Sequence, residues 1–245
     1  ITVSTDAATG SYSWSVPNNM STLAKVKVTD VSDSSVLDES NSVFKIVGSL
    51  VLTAPNGGEK WQVNSSQSVT WTKQGTGLAN VKLEYSTNSG STYPNVIIAT
   101  TPAGSAYSWT IPNTPLATAR VRVSDVNDST VLDTSNADFK IRAGITVDVP
   151  NGGEVWTVGS AQNITWTTVG TAANVKLEYS TNGGSTYPNV ITASVANTGS
   201  YSWTVADAIS TTARVKVTDA GDADATDESN ANFKIRGALV LTSPN

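Results

Sequence analysis

The chain has 245 residues, lacks both cysteine and histidine, and carries a formal net charge of −5. Without a thiol or an imidazole it excludes disulfides, thiolate nucleophiles, Ser-His-Asp triads and histidine zinc sites. The acidic balance and the scattered Lys and Arg residues argue against nucleic acid as a partner, because phosphate binding needs a basic face, and the short apolar runs argue against a membrane span.

The sequence repeats itself with a period of about 95 residues. The string ANVKLEYSTN occurs at 79–88 and again at 173–182. Such self-similarity is typical of an array of structural repeats. We divide the chain into the C-terminal half of a β-sandwich repeat (1–47), two complete repeats (48–143 and 144–237) and the first strand of a further repeat (238–245).

The two incomplete ends favour a chain that was processed, or taken as a window, from a longer array. The alternative is that the two ends complement each other between molecules. That alternative leaves the stretch equivalent to 56–95 without a counterpart.

Strands are predicted wherever apolar and polar residues alternate, because successive strand residues point to opposite faces. Turn sequences such as NGG, GTG and NSGS separate these segments. In the repeat 48–143 the predicted strands are LVLTAP (50–55), an edge strand near 61–63, SVTWTK (68–73), NVKLEYS (80–86), an edge strand near 96–98, YSWTI (107–111), ARVRVSD (119–125) and DFKIR (138–142).

Seven or so short strands in a repeat of this length predict an all-β fold, with tandem immunoglobulin-like or fibronectin-III-like β-sandwiches. The segments KIRAGITV (140–147) and KIRGALVL (234–241) leave only one or two small residues between consecutive repeats. Such short linkers bend less than Gly/Ser spacers. We therefore expect a rod-like array.

A Gly-Gly-Glu corner occurs twice, as PNGGEKW (55–61) and PNGGEVW (150–156). A phosphate-binding loop would lead into a helix and would usually carry a Lys, whereas a strand is predicted here. Asn-Gly supplies the positive φ angle of a tight turn. We expect a turn in which Glu59 and Glu154 accept backbone hydrogen bonds.

An acidic loop recurs before the last strand of each copy, as DVSDSSVLDES (30–40), DVNDSTVLDTS (125–135) and DAGDADATDES (219–229). Calcium prefers six to eight oxygen ligands, so the recurring aspartates are candidate calcium ligands that would stiffen the array. The alternative is a solvated hairpin in which Asp and Ser cap turns. The candidates are Asp30, Asp33, Asp38, Asp125, Asp128, Asp133, Asp219, Asp222 and Asp227.

Seven tryptophans raise the hypothesis of sugar stacking on exposed aromatic rings. Most of them alternate with polar residues on strands and are therefore expected in the core. Trp61 and Trp156 stand beside the Gly-Gly-Glu corner and are expected to be partly exposed. These two are the candidate carbohydrate-binding residues.

The motif combination resembles the Kre9/Knh1-type immunoglobulin-like domain, which occurs in tandem in very large bacterial surface proteins. The resemblance rests on PNGGE-x-W, on the following SVTW (68–71) and NITW (163–166), on YSW (12–14, 107–109, 201–203) and on SN-x-x-FKI (40–46, 135–141, 229–235). It covers essentially the whole chain. It implies an extracellular sandwich module of cell-surface, adhesion or cell-wall proteins, with no catalytic residues. We expect no cofactor other than the calcium considered above.

From these patterns we expect a non-enzymatic structural segment of a long extracellular or cell-surface protein that forms a filament, stalk or fibre. Its expected partners are neighbouring repeats or further copies of itself. One alternative is an adhesin or carbohydrate-binding stalk with surface glycans as partners. Another alternative is an accessory, non-catalytic segment of a large secreted enzyme.

Overall fold

The computed structural model describes residues 1, 4–240 and 243. Regular structure in these residues is β-strand, apart from one 3₁₀ turn at Ala7–Thr9. The strands are β1 (Ser21–Ala24), β2 (Lys27–Thr29), β3 (Leu37–Glu39), β4 (Phe44–Ile46), β5 (Ser49–Ala54), β6 (Lys60–Gln62), β7 (Ser66–Gln74), β8 (Asn80–Ser86), β9 (Asn95–Pro102), β10 (Ala106–Thr110), β11 (Leu116–Asp125), β12 (Leu132–Thr134), β13 (Phe139–Arg142), β14 (Gly144–Val149), β15 (Val155–Thr157), β16 (Ala161–Val169), β17 (Asn174–Ser180), β18 (Asn189–Ala196), β19 (Ser200–Thr204), β20 (Ser210–Asp219), β21 (Thr226–Glu228) and β22 (Phe233–Arg236).

The chain divides into two compact units that do not coincide with the sequence repeats. The repeat 144–237 lies wholly within the second unit, which also contains segments of the preceding repeat. The first unit comprises Ile1–Gly57, Ser68–Ser108 and Ala119–Asp138, and the second comprises Gly58–Gln67, Trp109–Thr118 and Phe139–Asn245.

Two sheets form the repeat 144–237. One has the strand order β14-β16-β19, and the other has the order β15-β22-β20-β17-β18, with β21 paired to β20. Neighbouring strands are antiparallel except for the parallel pair β15 and β22. This distribution of strands between two layers is that of an immunoglobulin-like or fibronectin-III-like sandwich, and it confirms the predicted fold class.

The core of this repeat lies between the two sheets. Ile164 and Trp166 of β16 belong to the same buried cluster as Leu177 of β17 and Phe233 of β22, and each of them is 3% exposed or less. Removing this much apolar surface from water is the dominant favourable term in folding. The alternating strand pattern therefore supplies a core without any disulfide.

Within each of the two units, the strands of the repeat 48–143 pair as their counterparts in the repeat 144–237 do. In the first unit β5 pairs with β7, β8 with both β9 and β11, and β11 with β12. In the second unit β6 runs parallel to β13, as β15 does to β22. The two complete repeats therefore share their local strand register.

Residues 1–47 form two small sheets, in which β1 pairs with β4 and β2 with β3. Val28 is 70% exposed, whereas its counterparts Val123 and Val217 are fully buried. The segment therefore presents to solvent an apolar position that the complete repeats bury. Ala238–Val240 have no strand, and the rest of the predicted strand 238–245, apart from Ser243, lies outside the described residues.

The strands predicted for the repeat 48–143 are confirmed, including both edge strands. The alternation missed β12 and β21, because Leu-Asp-Thr and Thr-Asp-Glu carry almost no apolar signal. Glu84 alternates with the apolar residues of β8, yet it is only 6% exposed. Glu84 is buried because the side chains of Lys82 and Arg122 lie over it and form ion pairs with it.

Candidate functional site

The Gly-Gly-Glu corner is a closed turn. The carboxylate of Glu154 accepts hydrogen bonds from the backbone N–H groups of Asn151 and Gly152, each at 2.8 Å. This confirms the predicted role of Glu154. Both carboxylate oxygens are thus used inside the turn, and a strand, β15, follows instead of the helix that a phosphate loop requires.

This corner is fastened to the segment that precedes the last strand. Asn230 donates its N–H to the side-chain oxygen of Asn151 at 2.6 Å, and the Ser229 hydroxyl donates to the carbonyl of Pro150 at 2.6 Å. A Cβ added to Gly152 would lie 2.6 Å from the Cβ of Ala231. The two sequence motifs PNGG and SN-x-x-FKI therefore contact each other, and their recurrence has a structural cause.

The aspartates of the first acidic loop make local turn contacts. Asp30 accepts from the N–H and hydroxyl of Ser32, and Asp33 accepts in the same way from Ser35. These hydrogen bonds, led by those from the two serine hydroxyls, hold the pKa of both carboxyls below the ordinary value. Asp38 lies on β3 and is exposed.

In the complete repeats the counterparts of Asp38 are tied to the opposite layer. Asp133 accepts the backbone N–H of Leu52 at 2.7 Å, and Asp227 accepts that of Val147 at 2.8 Å. Leu52 and Val147 lie on β5 and β14, the first strands of their repeats. A carboxylate here satisfies a backbone donor of the first strand, and such charge-assisted hydrogen bonds are among the stronger ones in proteins.

The acidic loop of the repeat 144–237 also contacts the preceding repeat. Lys140 donates to Asp222 at 2.8 Å and to Asp224 at 2.6 Å, and Lys60 donates to Asp224 at 2.6 Å. Hydrogen bonds from Lys140 and then from Lys60 lower the pKa of Asp224 to about 2. The pKa of Lys140 is raised by its hydrogen bonds to Asp222 and Asp224.

One acidic loop therefore holds the linker between two repeats at both of its ends. We call residues 125–133 and 219–227 the clamp loops. The loop 219–227 binds Lys140 before the linker and Val147 after it. The loop 125–133 binds Lys45, at 3.8 Å from Asp128, and Leu52 in the same way.

A second contact recurs at both linkers, where an Asn from one repeat lies against a Gly-Thr turn of the next. Asn18 accepts the N–H of Gly75 on its side-chain oxygen at 2.6 Å, and its backbone carbonyl accepts the N–H of Thr76 at 3.0 Å. At the following linker a Cβ on Gly170 would meet the side-chain oxygen of Asn113 at 3.3 Å. Asn18 and Asn113 are equivalent positions of the repeat, as are Gly75 and Gly170.

The second linker also packs tightly. A Cβ on Gly170 would lie 2.8 Å from Val63, and a Cβ on Gly144 would lie 2.6 Å from the side chain of Gln62. Both Val63 and Ala143 are 1% exposed. Apolar burial, hydrogen bonds and ion pairs therefore act together at this linker.

Calcium binding stays a prediction. Among the described residues, no group of three or more acidic side chains lies close enough to hold a metal ion. Asp125 and Asp219 cap turns by accepting the N–H groups of Asn127 and Gly221. Asp128 accepts the N–H and hydroxyl of Thr130. Asp133 and Asp227 accept backbone N–H groups, and Asp222 binds Lys140.

The expected partial exposure of Trp61 and Trp156 is wrong. Trp61 is 9% exposed and Trp156 is 6% exposed. Trp156 packs edge-on against Trp203 at a centroid distance of 6.0 Å, and it contacts Phe233 at 5.0 Å. The turn places the next strand parallel to β22, which points this ring into the core.

A strip of paired charges lies on β8 and β11 and recurs on β17 and β20. It consists of Lys82, Glu84 and Arg122 in one repeat and of Lys176, Glu178 and Lys216 in the next. Burial alone would raise the pKa of Glu178, but hydrogen bonds from Lys176 and Lys216 and their charge lower it below the ordinary value. Lys216 also lies 4.5 Å from the ring centroid of Tyr187. Burial, followed by the hydrogen bond to Glu228, raises the pKa of the Tyr187 hydroxyl. Each charge in this strip has a partner of opposite sign.

Sequence reasoning missed the lysines that bind the clamp loops. Lys45, Lys140 and Lys234 occupy one position of the repeated FKI motif. Their recurrence was the available signal, but the alternation along a strand does not show which group an outward-facing side chain binds.

No protein-family model and no curated protein sequence matches the chain. Similar solved structures include fibronectin(III)-like modules of Clostridium thermocellum CbhA, with 13% identity, a TM-score of 0.27, and 80% of this chain and 98% of that one covered. The four N-terminal Ig domains of Dscam1 isoform 8.4 match with 10% identity, a TM-score of 0.34, and 81% and 51% coverage. The titin domains z1z2 in complex with telethonin match with 11% identity, a TM-score of 0.25, and 78% and 98% coverage. Because these scores are low, the fold assignment rests on the strand order of the repeat 144–237. Among the described residues no helix is long and apolar enough to span a membrane.

Proposed function

We propose that this chain is a structural segment of a long extracellular protein, in which successive sandwich repeats are held in fixed register to form a filament, stalk or fibre. The observation that carries the proposal is the clamp loop. At both linkers an acidic loop binds a lysine before the linker and a backbone N–H after it. A protein whose repeats only had to be tethered would not need this contact.

The length of the linkers supports the same function. Only Ala143 separates β13 from β14, and only Val47 and Gly48 separate β4 from β5. A flexible coil of Gly and Ser would let neighbouring repeats rotate freely. Here the linker is short, and its ends are bonded to one loop of the next repeat.

The carbohydrate-binding alternative loses its basis at the two residues that suggested it, since Trp61 and Trp156 lie in the core. No observation in the described residues favours the accessory-segment alternative over a structural role. The structural proposal therefore stands as the first one to test.

A distance measurement across the second linker tests the fixed register. The chain has no cysteine, so Thr110→Cys and Ser194→Cys, both at exposed positions, provide unique spin-label sites on consecutive repeats. We expect one narrow distance distribution by pulsed electron paramagnetic resonance. Lys140→Gln should broaden it, whereas Lys234→Gln, at the equivalent exposed position of the next copy, should not. A broad distribution in the unsubstituted chain would contradict the proposal.

Electron microscopy of the native protein tests the assembly itself. We expect β-sandwich modules at regular intervals along extended filaments or stalks. Isolated monomers that bend freely and show no lateral order would refute the filament version.

A further inference from the structure

We infer that the ion pair between Lys60 and Asp224, which we call the key, helps to determine which repeat follows the repeat 48–143. It favours a following repeat that carries two aspartates in its clamp loop. This inference rests on the proposed function, because it assigns a specificity to the same linker contact. The surface is formed by Lys60 and Lys140, and the partner that fits it is a repeat with Asp at both positions 222 and 224.

Of the four charged residues at this linker, Lys140 and Asp222 recur in the other copies, whereas Lys60 and Asp224 do not. Lys60 of PNGGEKW is replaced by Val155 in PNGGEVW. Asp224 is replaced by Thr130 in the preceding clamp loop and by Ser35 in the first acidic loop. The extra lysine and the extra aspartate therefore occur on opposite sides of the same linker, where they contact each other at 2.6 Å.

The geometry makes the two charges interdependent. Asp224 uses one oxygen for Lys60 and the other for Lys140, and Lys140 also binds Asp222. Two lysines thus meet two aspartates and their charges balance. At the first linker one lysine, Lys45, lies 3.8 Å from one aspartate, Asp128.

A mismatch leaves one charge in excess. If Thr replaced Asp224, Lys60 would lose its acceptor, and Lys140 would keep only Asp222. If Val replaced Lys60, one oxygen of Asp224 would lose its donor. The repeat 48–143 therefore discriminates between possible successors through the introduction of an unpaired charge, which is a common source of specificity at interfaces.

The key shifts the docking equilibrium of the two repeats only modestly, because its side chains are partly exposed to solvent. The Lys60 side chain is 55% exposed and that of Asp224 is 26% exposed. Exposed pairs shift an equilibrium by about 1.4- to 5-fold, and salt screens them. We expect the key to change the ratio of docked to undocked linkers by about this factor at low ionic strength, and to lose most of its effect in about 1 M salt.

A double-mutant cycle in the spin-labelled chain tests the key with substitutions taken from the other copies. Lys60→Val and Asp224→Thr are each expected to reduce the docked fraction, and the double variant should reduce it by no more than the larger single effect. Lys234→Val serves as the control for the loss of a lysine elsewhere. Carboxylate NMR titration gives a second readout, in which Lys60→Val should raise the pKa of Asp224 and Lys234→Val should leave it unchanged.

The two readouts separate failure of the key from failure of the proposed function. Additive effects of the two substitutions, or an unchanged pKa of Asp224 in Lys60→Val, would overturn the key while the unsubstituted chain still shows a narrow distance. A broad distance in the unsubstituted chain would overturn the proposed function itself. Equal effects at low and high salt would show that the contact is not electrostatic and would likewise overturn the key.

Discussion

Substitution of the first corner glycine should destabilise the repeat 144–237 far more than substitution of the second. Gly152 has φ of +133° and Gly153 has φ of +87°. An added Cβ on Gly152 would lie 2.6 Å from the Cβ of Ala231, whereas one on Gly153 would meet nothing within 4 Å. Gly153→Ala thus introduces backbone strain alone, while Gly152→Ala introduces strain and a steric clash.

The magnitudes follow from these two terms. A left-handed residue other than glycine costs about 1–2 kcal/mol, which we expect for Gly153→Ala. At Gly152 the strain of a sparsely populated backbone region costs about 1–3 kcal/mol, and overpacking adds about 1–3 kcal/mol. Gly152→Ala should therefore lower the free energy of unfolding of this repeat by about 2–6 kcal/mol.

Native-state hydrogen exchange of the buried β20 amides measures this free energy for one repeat of a multi-repeat chain. Ala231→Gly in the Gly152→Ala background removes the colliding Cβ and should restore about 1–3 kcal/mol. It also keeps the test usable if the single variant unfolds. Equal destabilisation by Gly152→Ala and Gly153→Ala, or no recovery with Ala231→Gly, would refute the packing argument.

Three further predictions concern single groups. Asn197→Ala should lower the free energy of unfolding by about 1–3 kcal/mol, because the buried Trp166 indole N–H donates to Asn197 at 2.7 Å. Ala103→Asn should raise it in the other repeat by offering an acceptor to the Trp71 indole N–H, which has no partner among the described residues. Urea unfolding monitored at each repeat would show both changes. The pKa of Asp224 is depressed to about 2, so its ion pairs should stabilise the linker fully above about pH 4 and lose that contribution as the pH falls through about 2. An equal docked fraction, measured by the spin-label distance at low salt, above about pH 4 and below about pH 2 would contradict this. Calcium binding by the acidic loops predicts a melting temperature that rises on calcium addition and falls again with a chelator. An unchanged melting temperature would remove the calcium hypothesis and favour the contacts of Asp222 with Lys140 and of Asp227 with the Val147 N–H as the role of these carboxylates.

Much of the fold could be predicted because the alternation of side chains along a strand is a local property. Residues 80–86 have alternate apolar side chains, and they form β8 over the predicted residues. The corner was also predictable, because Asn-Gly-Gly admits few other conformations. The expected hydrogen bonds from backbone N–H groups of this turn to Glu154 are also present.

The contacts of the charged side chains were not predictable in the same way, because they join residues that are distant in sequence. Asp227 and Val147 are separated by 80 positions, and Lys140 and Asp222 by 82. A carboxylate in a turn sequence is compatible with calcium, with solvent or with a lysine, and only the fold decides which group faces it. The burial of Trp156 was missed for the same reason, since the parallel pairing of β15 with β22 cannot be derived from a three-residue strand.

The clamp loop links the stability of a repeat to the placement of its neighbour. In a sandwich the connection before the last strand only has to reverse the chain, and a few Gly or Asn residues would suffice. Here Asp227 ties that connection to the first strand of its own repeat, and Asp222, three residues after the start of the loop, binds the lysine of the repeat before it. One loop therefore contacts both the first strand of its own repeat and the lysine of the preceding repeat, so that a change in this loop affects the packing of its repeat and the linker contact together.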